Sequence, residues 1–369
     1  MAINVLRFKI MRYLDIVKFL LNYGKFKNNN MKNHAILFLT LLICSLTQAQ
    51  KALKSDLLYS DQSPMEIKLN YSNKNVKKNT TDSTFIETDL NFMHEGKWNT
   101  IPVSLRARGN FRRAKCYFPP IKMKIKKNQY KKTVFNGNKS LKLVLPCRTD
   151  DAKNDNILKE YLAYKIYELI SPYHFKTRRV NVAFTEPKGR KVKTFSLKGF
   201  LIEDDSKLAK RFDGKVVEQF VHPLAMQHLA SVQHSFFQYM IGNTDFSISF
   251  QHNGKLLFAS KEFLPLPYDF DMTGWVDPSY GFGNPTLGLN SLTERRYRGF
   301  KRDLEVYNKV RSQFVETKDQ ITSLVSSFES EFDSKRQYDK MVNFMNDFFE
   351  IIEDDNKFQK RILDQARTK

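Results

Sequence analysis

Two acidic clusters set the chemistry open to this chain. Asp245 ends the run Ile241-Gly242-Asn243-Thr244-Asp245, and Asp269 and Asp271 flank Phe270 about 25 residues later. Polar Gln251, His252 and Asn253 lie between them, followed by an apolar strand over 256–259. Carboxylates at this spacing, with an amide between, resemble the parts of a phosphoryl-transfer site. One carboxylate orients a hydroxyl, and the other, with a nearby amide, holds Mg²⁺ on a triphosphate. In that reading Asp245 is the catalytic carboxylate, and Asn253, Asp269 and Asp271 are metal ligands. Alternation along an extended segment puts Asp269 and Asp271 on one side, with Tyr268 and Phe270 buried opposite. Each role has a structural counterpart. Gly242, Asn243 and Asp245 make a good helix stop, Asn253-Gly254 is a favoured hairpin turn, and paired aspartates also cap or form salt bridges.

Cations for a nucleotide come from the first half of the chain. Lys122 and Lys124 alternate with Ile121, Met123 and Ile125, which gives a strand one cationic face from which a lysine reaches phosphates. Arg108 could do so from the turn Arg108-Gly109-Asn110, and Glu203 could pair with a strand lysine. A solvated cationic strand face, and a surface loop at Glu203-Asp204-Asp205, are the alternatives. Arg295, Arg296 and Arg298 form a compact basic cluster suited to a phosphorylated or acidic substrate, or to a solvent-facing helix start.

The elements that must position these groups read as a strand-rich front and a helical end. Strands fall at 65–71, 85–94, 101–105, 121–125 and 141–145, the last apolar enough to be central. A helix over 154–171 places Ile157, Leu158, Tyr161, Leu162, Ile166, Leu169 and Ile170 on one face. A hairpin over 180–202 turns at Glu186-Pro187-Lys188-Gly189, a helix over 222–241 delivers Asp245, and helices follow over 303–332 and 335–352. The order predicts an α+β protein with two lobes.

The chain has 369 residues, 41% of them hydrophobic, with 31 Phe and 16 Tyr, so a substantial core is available. Residues 31–50, MKNHAILFLTLLICSLTQAQ, have the pattern of a secretory leader with cleavage after Ala49, and the competing reading is a buried helix. Residues 1–30 are then a start-site over-call, or an extension whose segment 5–21 anchors the chain. Without residues 1–50 the formal charge falls from +22 to +16, which favours anionic partners. The basic residues form no dense block and no nucleic-acid motif, which argues against nucleic acid. An exported chain allows Cys116 and Cys147 to pair. The absence of CxxC spacing, and the six-residue steps between His222, His228 and His234, argue against zinc.

Over residues 100–300 this succession resembles the CotH kinase family of secreted and spore-coat atypical kinases. The carriers are Arg108-Gly109-Asn110 followed by PPIKMKIKK, the helix DNILKEYLAYKIYELI, the strand GFLIEDD, the helix leading to Asp245, and Asp269-Phe270-Asp271. The resemblance implies a two-lobed atypical protein-kinase-like fold, Mg²⁺ and ATP as cofactors, and a protein hydroxyl as acceptor in an exported compartment. It divides the chain into a loose, strand-containing segment over 51–100, a core over 101–300 and terminal helices over 301–369. The chain departs from the family at Phe111-Arg112-Arg113, Phe246-Ser247-Ile248 and Met272-Thr273-Gly274. Those departures leave a second expectation: an exported, non-catalytic binding module that recognises an anionic surface or partner.

Overall fold

The computed structural model describes residues 52–368. The expected leader and the extension before it lie outside the described residues.

Seven strands close into a barrel: β1 (Met65–Asn70), β2 (Ile86–His94), β3 (Lys97–Ala107), β4 (Ile121–Lys124), β5 (Ser140–Val144), β6 (Thr177–Lys188) and β7 (Lys191–Glu203). Their order is β1-β2-β3-β4-β5-β7-β6, and a parallel pairing of β1 with β6 completes the ring. Period-two alternation supplies the interior. Met65, Ile67 and Leu69 of β1, Ile101, Val103 and Leu105 of β3, and Ile121 and Met123 of β4 are all buried. Phe92, Phe118, Phe135 and Phe184 fill the same interior. Closure leaves no unpaired edge. The first two strands are therefore integral to the barrel that β3 continues.

Helices between the barrel strands include α1 (Asn73–Asn79), α2 (Phe111–Lys115) and α3 (Lys153–Ile170), with a single turn at Lys127–Tyr130. α3 packs on the outside of the barrel, where Val144, Phe200 and Ile202 meet Ile157, Tyr161 and Tyr164. This contact explains why all five residues of β5 are buried: Leu141 and Leu143 face the barrel core, while Val144 joins the helical core. Of the apolar face expected for α3, Leu169 alone is exposed.

The hairpin turn differs from expectation. The β6–β7 ladder runs on to Lys188 and Lys191, so Gly189 and Arg190 form the tip, with Gly189 at φ +62°. Glu186 is buried in the ladder and accepts hydrogen bonds from the Asn73 N–H (3.1 Å) and the Tyr117 hydroxyl (2.5 Å).

The second half contains α4 (Asp205–Arg211), the three-stranded sheet β8 (Lys215–Val217), β9 (Gly254–Ala259) and β10 (Glu262–Pro267), and the helices α5 (His228–Met240), α6 (Leu304–Ser326) and α7 (Lys335–Glu353). α5 starts later than its apolar pattern because Pro223 opens a separate short turn and the Gln227 side chain caps the helix by accepting the Ala230 N–H. Phe236, Phe314 and Phe348 join α5, α6 and α7 in one core. The protein is thus mixed α/β, with a strand-rich N-terminal half and a helical C-terminal half. A closed seven-stranded barrel is not the front half of a typical two-lobed kinase. Strand periodicity is the same in an open sheet and a closed one, so the sequence pattern carries no sign of closure. Among the described residues no helix is long and apolar enough to cross a membrane.

Candidate functional site

β10 delivers the later acidic cluster. After Pro267 the chain leaves the strand, and Asp269 adopts φ +65°, a left-handed conformation that aspartate tolerates better than most residues. Strict strand alternation therefore fails. Phe270 is buried as expected, but Tyr268 is half-buried at the core's edge and also meets cations of the barrel. Asp271 is buried and Asp269 is 36% exposed. The Asp269 N–H donates to the Tyr164 hydroxyl of α3 at 3.1 Å.

Both aspartates converge on Arg112 of α2. The Arg112 Nε is 3.5 Å from the Asp271 Oδ2, and Nη1 is 4.0 Å from the Asp269 Oδ1 and 3.6 Å from the Glu160 Oε2. Nη2 donates to the Leu145 carbonyl at 2.9 Å, and the Tyr280 hydroxyl donates to the Asp271 Oδ2 at 3.4 Å. Three carboxylates thus face one guanidinium. Burial raises the pKa of Asp271 to about 7, with Arg112 opposing and the neighbouring Asp269 adding to the rise. Burial raises that of Glu160 well above the usual range. The α2 turn is pinned by a disulfide from its last capping residue, Cys116, to Cys147 just past β5. Sequence reasoning missed Glu160 and met Arg112 only as a departure from a family pattern. The available signal was an acidic side chain among the apolar residues of α3.

The cations arrive differently from expectation. Arg108 donates from Nη1 to the Tyr268 hydroxyl at 2.8 Å. Lys142 of β5, not singled out by the sequence, is buried, lies 4.4 Å from the Tyr268 ring centre and pairs with Asp205. Lys255 of β9 stands 3.8 Å from the same Asp205. Lys122 lies between Arg106 and Lys142 in register on the outer barrel face. Burial lowers its pKa; Arg106, Arg108 and Lys124 add to the drop and Asp204 opposes it. Lys124 is exposed and its ammonium lies 4.1 Å from the Phe85 ring centre, a partner apart from the acidic turn.

Glu203 is not the partner of a strand lysine. It pairs with the buried Arg211 and accepts the Lys176 N–H at 2.7 Å. Burial raises its pKa to about 7. The reason is strand alternation: Lys142 is opposite Ile202, whereas Glu203 is opposite Leu141 on the inner face. The lysine–carboxylate pair of this site is Lys142 with Asp205.

The earlier acidic cluster follows α5. Gly242, at φ +62°, ends the helix, and the Asn243 Oδ1 accepts the Asp245 N–H at 3.0 Å. The Asp245 side chain is 55% exposed and contacts the His252 Nε2 at 3.1 Å. Asn253 donates from Nδ2 to the Asp245 carbonyl (2.7 Å) and the Asp245 Oδ2 (3.2 Å). The amide expected as a metal ligand is thus engaged with Asp245. The expected Asn253-Gly254 turn is also displaced, because Ser247 bridges to His252 and the loop closes before Asn253. The segment after Asp271 reaches back to the end of α5: the Gly274 and Trp275 N–H groups donate to the Gly242 and Ile241 carbonyls at 3.3 and 3.0 Å. The basic cluster of the sequence disperses. Arg295 donates to the Tyr239, Met240 and Phe344 carbonyls, Arg296 to Gln365, and Arg298 to the Thr244 and Phe246 carbonyls on either side of Asp245.

Among the described residues no group of three or more His, Cys, Asp or Glu side chains forms a ready-made metal cage. Around Arg112 three carboxylates face one guanidinium, an oxygen-rich set of the kind in which one or two carboxylates hold Mg²⁺, completed by phosphate and water. No protein-family model matches this chain, and no curated protein matches it.

Proposed function

We propose that this protein is a phosphotransferase, an atypical kinase of CotH-like, two-lobed logic that moves the γ-phosphoryl group of ATP to a protein hydroxyl. One observation carries the reading. Cations from the barrel, Arg108 and Lys142, meet the acidic turn at Tyr268, and the chain just beyond that turn is hydrogen-bonded to the segment that ends in Asp245. Phosphate-binding cations, crowded carboxylates and an exposed carboxylate are the parts phosphoryl transfer needs.

In this scheme Arg108, Lys142 and Lys122 hold the triphosphate, and Lys142 is kept in place by Asp205. Asp269 and Asp271 would hold Mg²⁺, which would supply positive charge to the triphosphate. Asp245 accepts the hydrogen bond of the acceptor hydroxyl and takes its proton as the acceptor oxygen bonds the γ-phosphorus and ADP leaves. His252 and Asn253 fix that carboxylate, and export places the reaction outside the cytoplasm.

The protein mixed with Mg²⁺ and radiolabelled ATP tests the reading. A thermal shift with Mg·ATP, and labelling lost in Asp245→Asn and Asp269→Asn, are expected. No nucleotide-dependent shift in the parent would sink it.

A second reading is the non-catalytic binding module, and Arg112 favours it. Its guanidinium already sits within 3.5–4.0 Å of both candidate metal ligands and supplies positive charge there permanently. In that case Arg112→Met, not the parent, gains a Mg²⁺-dependent shift.

A further inference from the structure

A cavity of about 340 Å³ opens beside the Asp245 turn, between the start of α5, the loop after Asp245 and the chain near the C-terminus. Its chemistry is one-sided. Arg298, Arg302 and Arg367 line it, and no aspartate or glutamate does. Each guanidinium is fixed by main-chain carbonyls: Arg298 by Thr244 and Phe246, Arg302 by Pro223, Leu224 and Met226, and Arg367 by Arg298. Carbonyls position a guanidinium without neutralising it. Among the described residues none of the three forms an ion pair with a carboxylate, and the Nε of Arg302 is buried without a hydrogen-bond partner. Burial lowers the pKa of Arg367 to about 10, and the nearby Arg298 lowers it further. Asp245 acts on Arg298 and Asp303 on Arg302 from nearby, but neither carboxylate lines the cavity.

The rim is apolar. Phe250 is 77% exposed and Phe220 58% exposed, with ring centres 5.3 Å apart. Two large aromatic side chains held side by side in water mark a contact surface. A phosphate-only ligand has no use for that rim, and a purely apolar one has no use for three guanidiniums.

We propose that this cavity docks an acidic peptide segment, with a carboxylate among Arg298, Arg302 and Arg367 and an adjacent apolar side chain on Phe220 and Phe250. The cavity's own chemistry carries this. Under the phosphotransferase reading the occupant is the acceptor, because the Arg298 contacts frame Asp245.

The test is fluorescence anisotropy without nucleotide, using a short fluorescein-labelled peptide of glutamates with one phenylalanine and one serine. Saturable binding that weakens with salt is expected, with Kd raised at least about tenfold by Arg367→Gln and by Phe250→Ser. Both variants should melt with the parent, and Phe250 is too exposed for its loss to unfold the protein. The glutamine version of the peptide should not bind. Equal affinity for acidic and glutamine peptides, or acidic-peptide binding untouched by both variants, overturns the proposal. So does binding of phosphatidylglycerol vesicles through these residues without peptide binding, which assigns the cavity to a lipid surface. The Mg·ATP thermal shift of Phe250→Ser should equal that of the parent, so failure here is separable from failure of the phosphotransferase reading.

Discussion

The Nε of Arg112 stands 3.5 Å from the Asp271 carboxylate, and both side chains are buried where the barrel meets the helical half. Glu160 approaches the same guanidinium from α3. Removing one member of a buried charge cluster leaves the others without compensation, at about 3–5 kcal/mol. Arg112→Met should therefore lower the unfolding free energy by that order in urea titration. Adding Asp271→Asn to Arg112→Met should restore part of the loss, because the orphaned charge is gone. An additive double variant would show that the two groups do not interact.

Acid groups raised by burial give a defined pH dependence. Asp271 moves from 3.8 to about 7 and Glu203 from 4.5 to about 7. Each holds its proton more tightly folded than unfolded, so unfolding releases a proton between the two values. Stability from these groups is therefore full below the ordinary carboxylate range and falls as pH rises toward 7, by at most about 1.4 kcal/mol per pH unit each. Asp61, Asp204 and Asp205 are shifted down instead, so their contribution is lost only in more acid solution. Urea midpoints should drop between about pH 5 and about pH 7 in the parent, and Asp271→Asn with Glu203→Gln should flatten that slope.

The strands and helices around this site were legible because each buries one face with its own period. Ile101, Val103 and Leu105 announce a strand, and Ile157, Tyr161 and Leu162 announce a helix. The parallel β1–β6 pairing was not, since strands separated by more than 100 residues carry no local signal of partnership. Asp245, Asp269 and Asp271 stood out as acids in apolar surroundings. Lys142 did not, because a lysine inside an apolar strand looks like its solvent face until α4 brings Asp205 to it. Glu203 misled for the complementary reason: the faces of β5 and β7 are fixed by register, which adjacency in sequence does not reveal.

The Cys116–Cys147 bond closes a loop of 31 residues that includes β4 and β5. Constraining the unfolded chain over that length is worth about 3–4 kcal/mol by loop-closure entropy. Cys116→Ser should lose stability of that order in urea titration. Because the bond ties α2 to the segment just past Leu145, Arg112 should also hold Leu145 less firmly, so the pH slope assigned to Asp271 should change in the same variant.

Gly242 has two reasons to be glycine. Its φ is +62°, and a Cβ there would lie 2.7 Å from the Phe344 Cζ of α7. Gly242→Ala should cost about 1–3 kcal/mol from left-handed strain and overpacking together. The overpacking share is relieved by a smaller partner, so Gly242→Ala with Phe344→Leu should be less damaging than the two single losses summed. Strict additivity in thermal melts would leave backbone strain as the whole cost.

Asn253 separates two accounts of the acidic site. Its amide donates to both the main-chain carbonyl and the carboxylate of Asp245, which makes it a positioning residue under the phosphotransferase reading. Asp245→Asn should then reduce transfer by about 10²–10⁴-fold, the usual worth of a general base. Asn253→Ala should lower kcat by a smaller factor, with the KM for ATP near the parent value, because Asp245 remains but is less well fixed. The Mg²⁺ concentration for half-maximal rate decides between the accounts. It should be unchanged in Asn253→Ala and raised in Asp269→Asn, since only the latter removes a candidate ligand. A raised Mg²⁺ requirement in Asn253→Ala would mean that the amide leaves Asp245 to bind metal when nucleotide is present, and the hydrogen bonds seen here would then belong to the resting state alone.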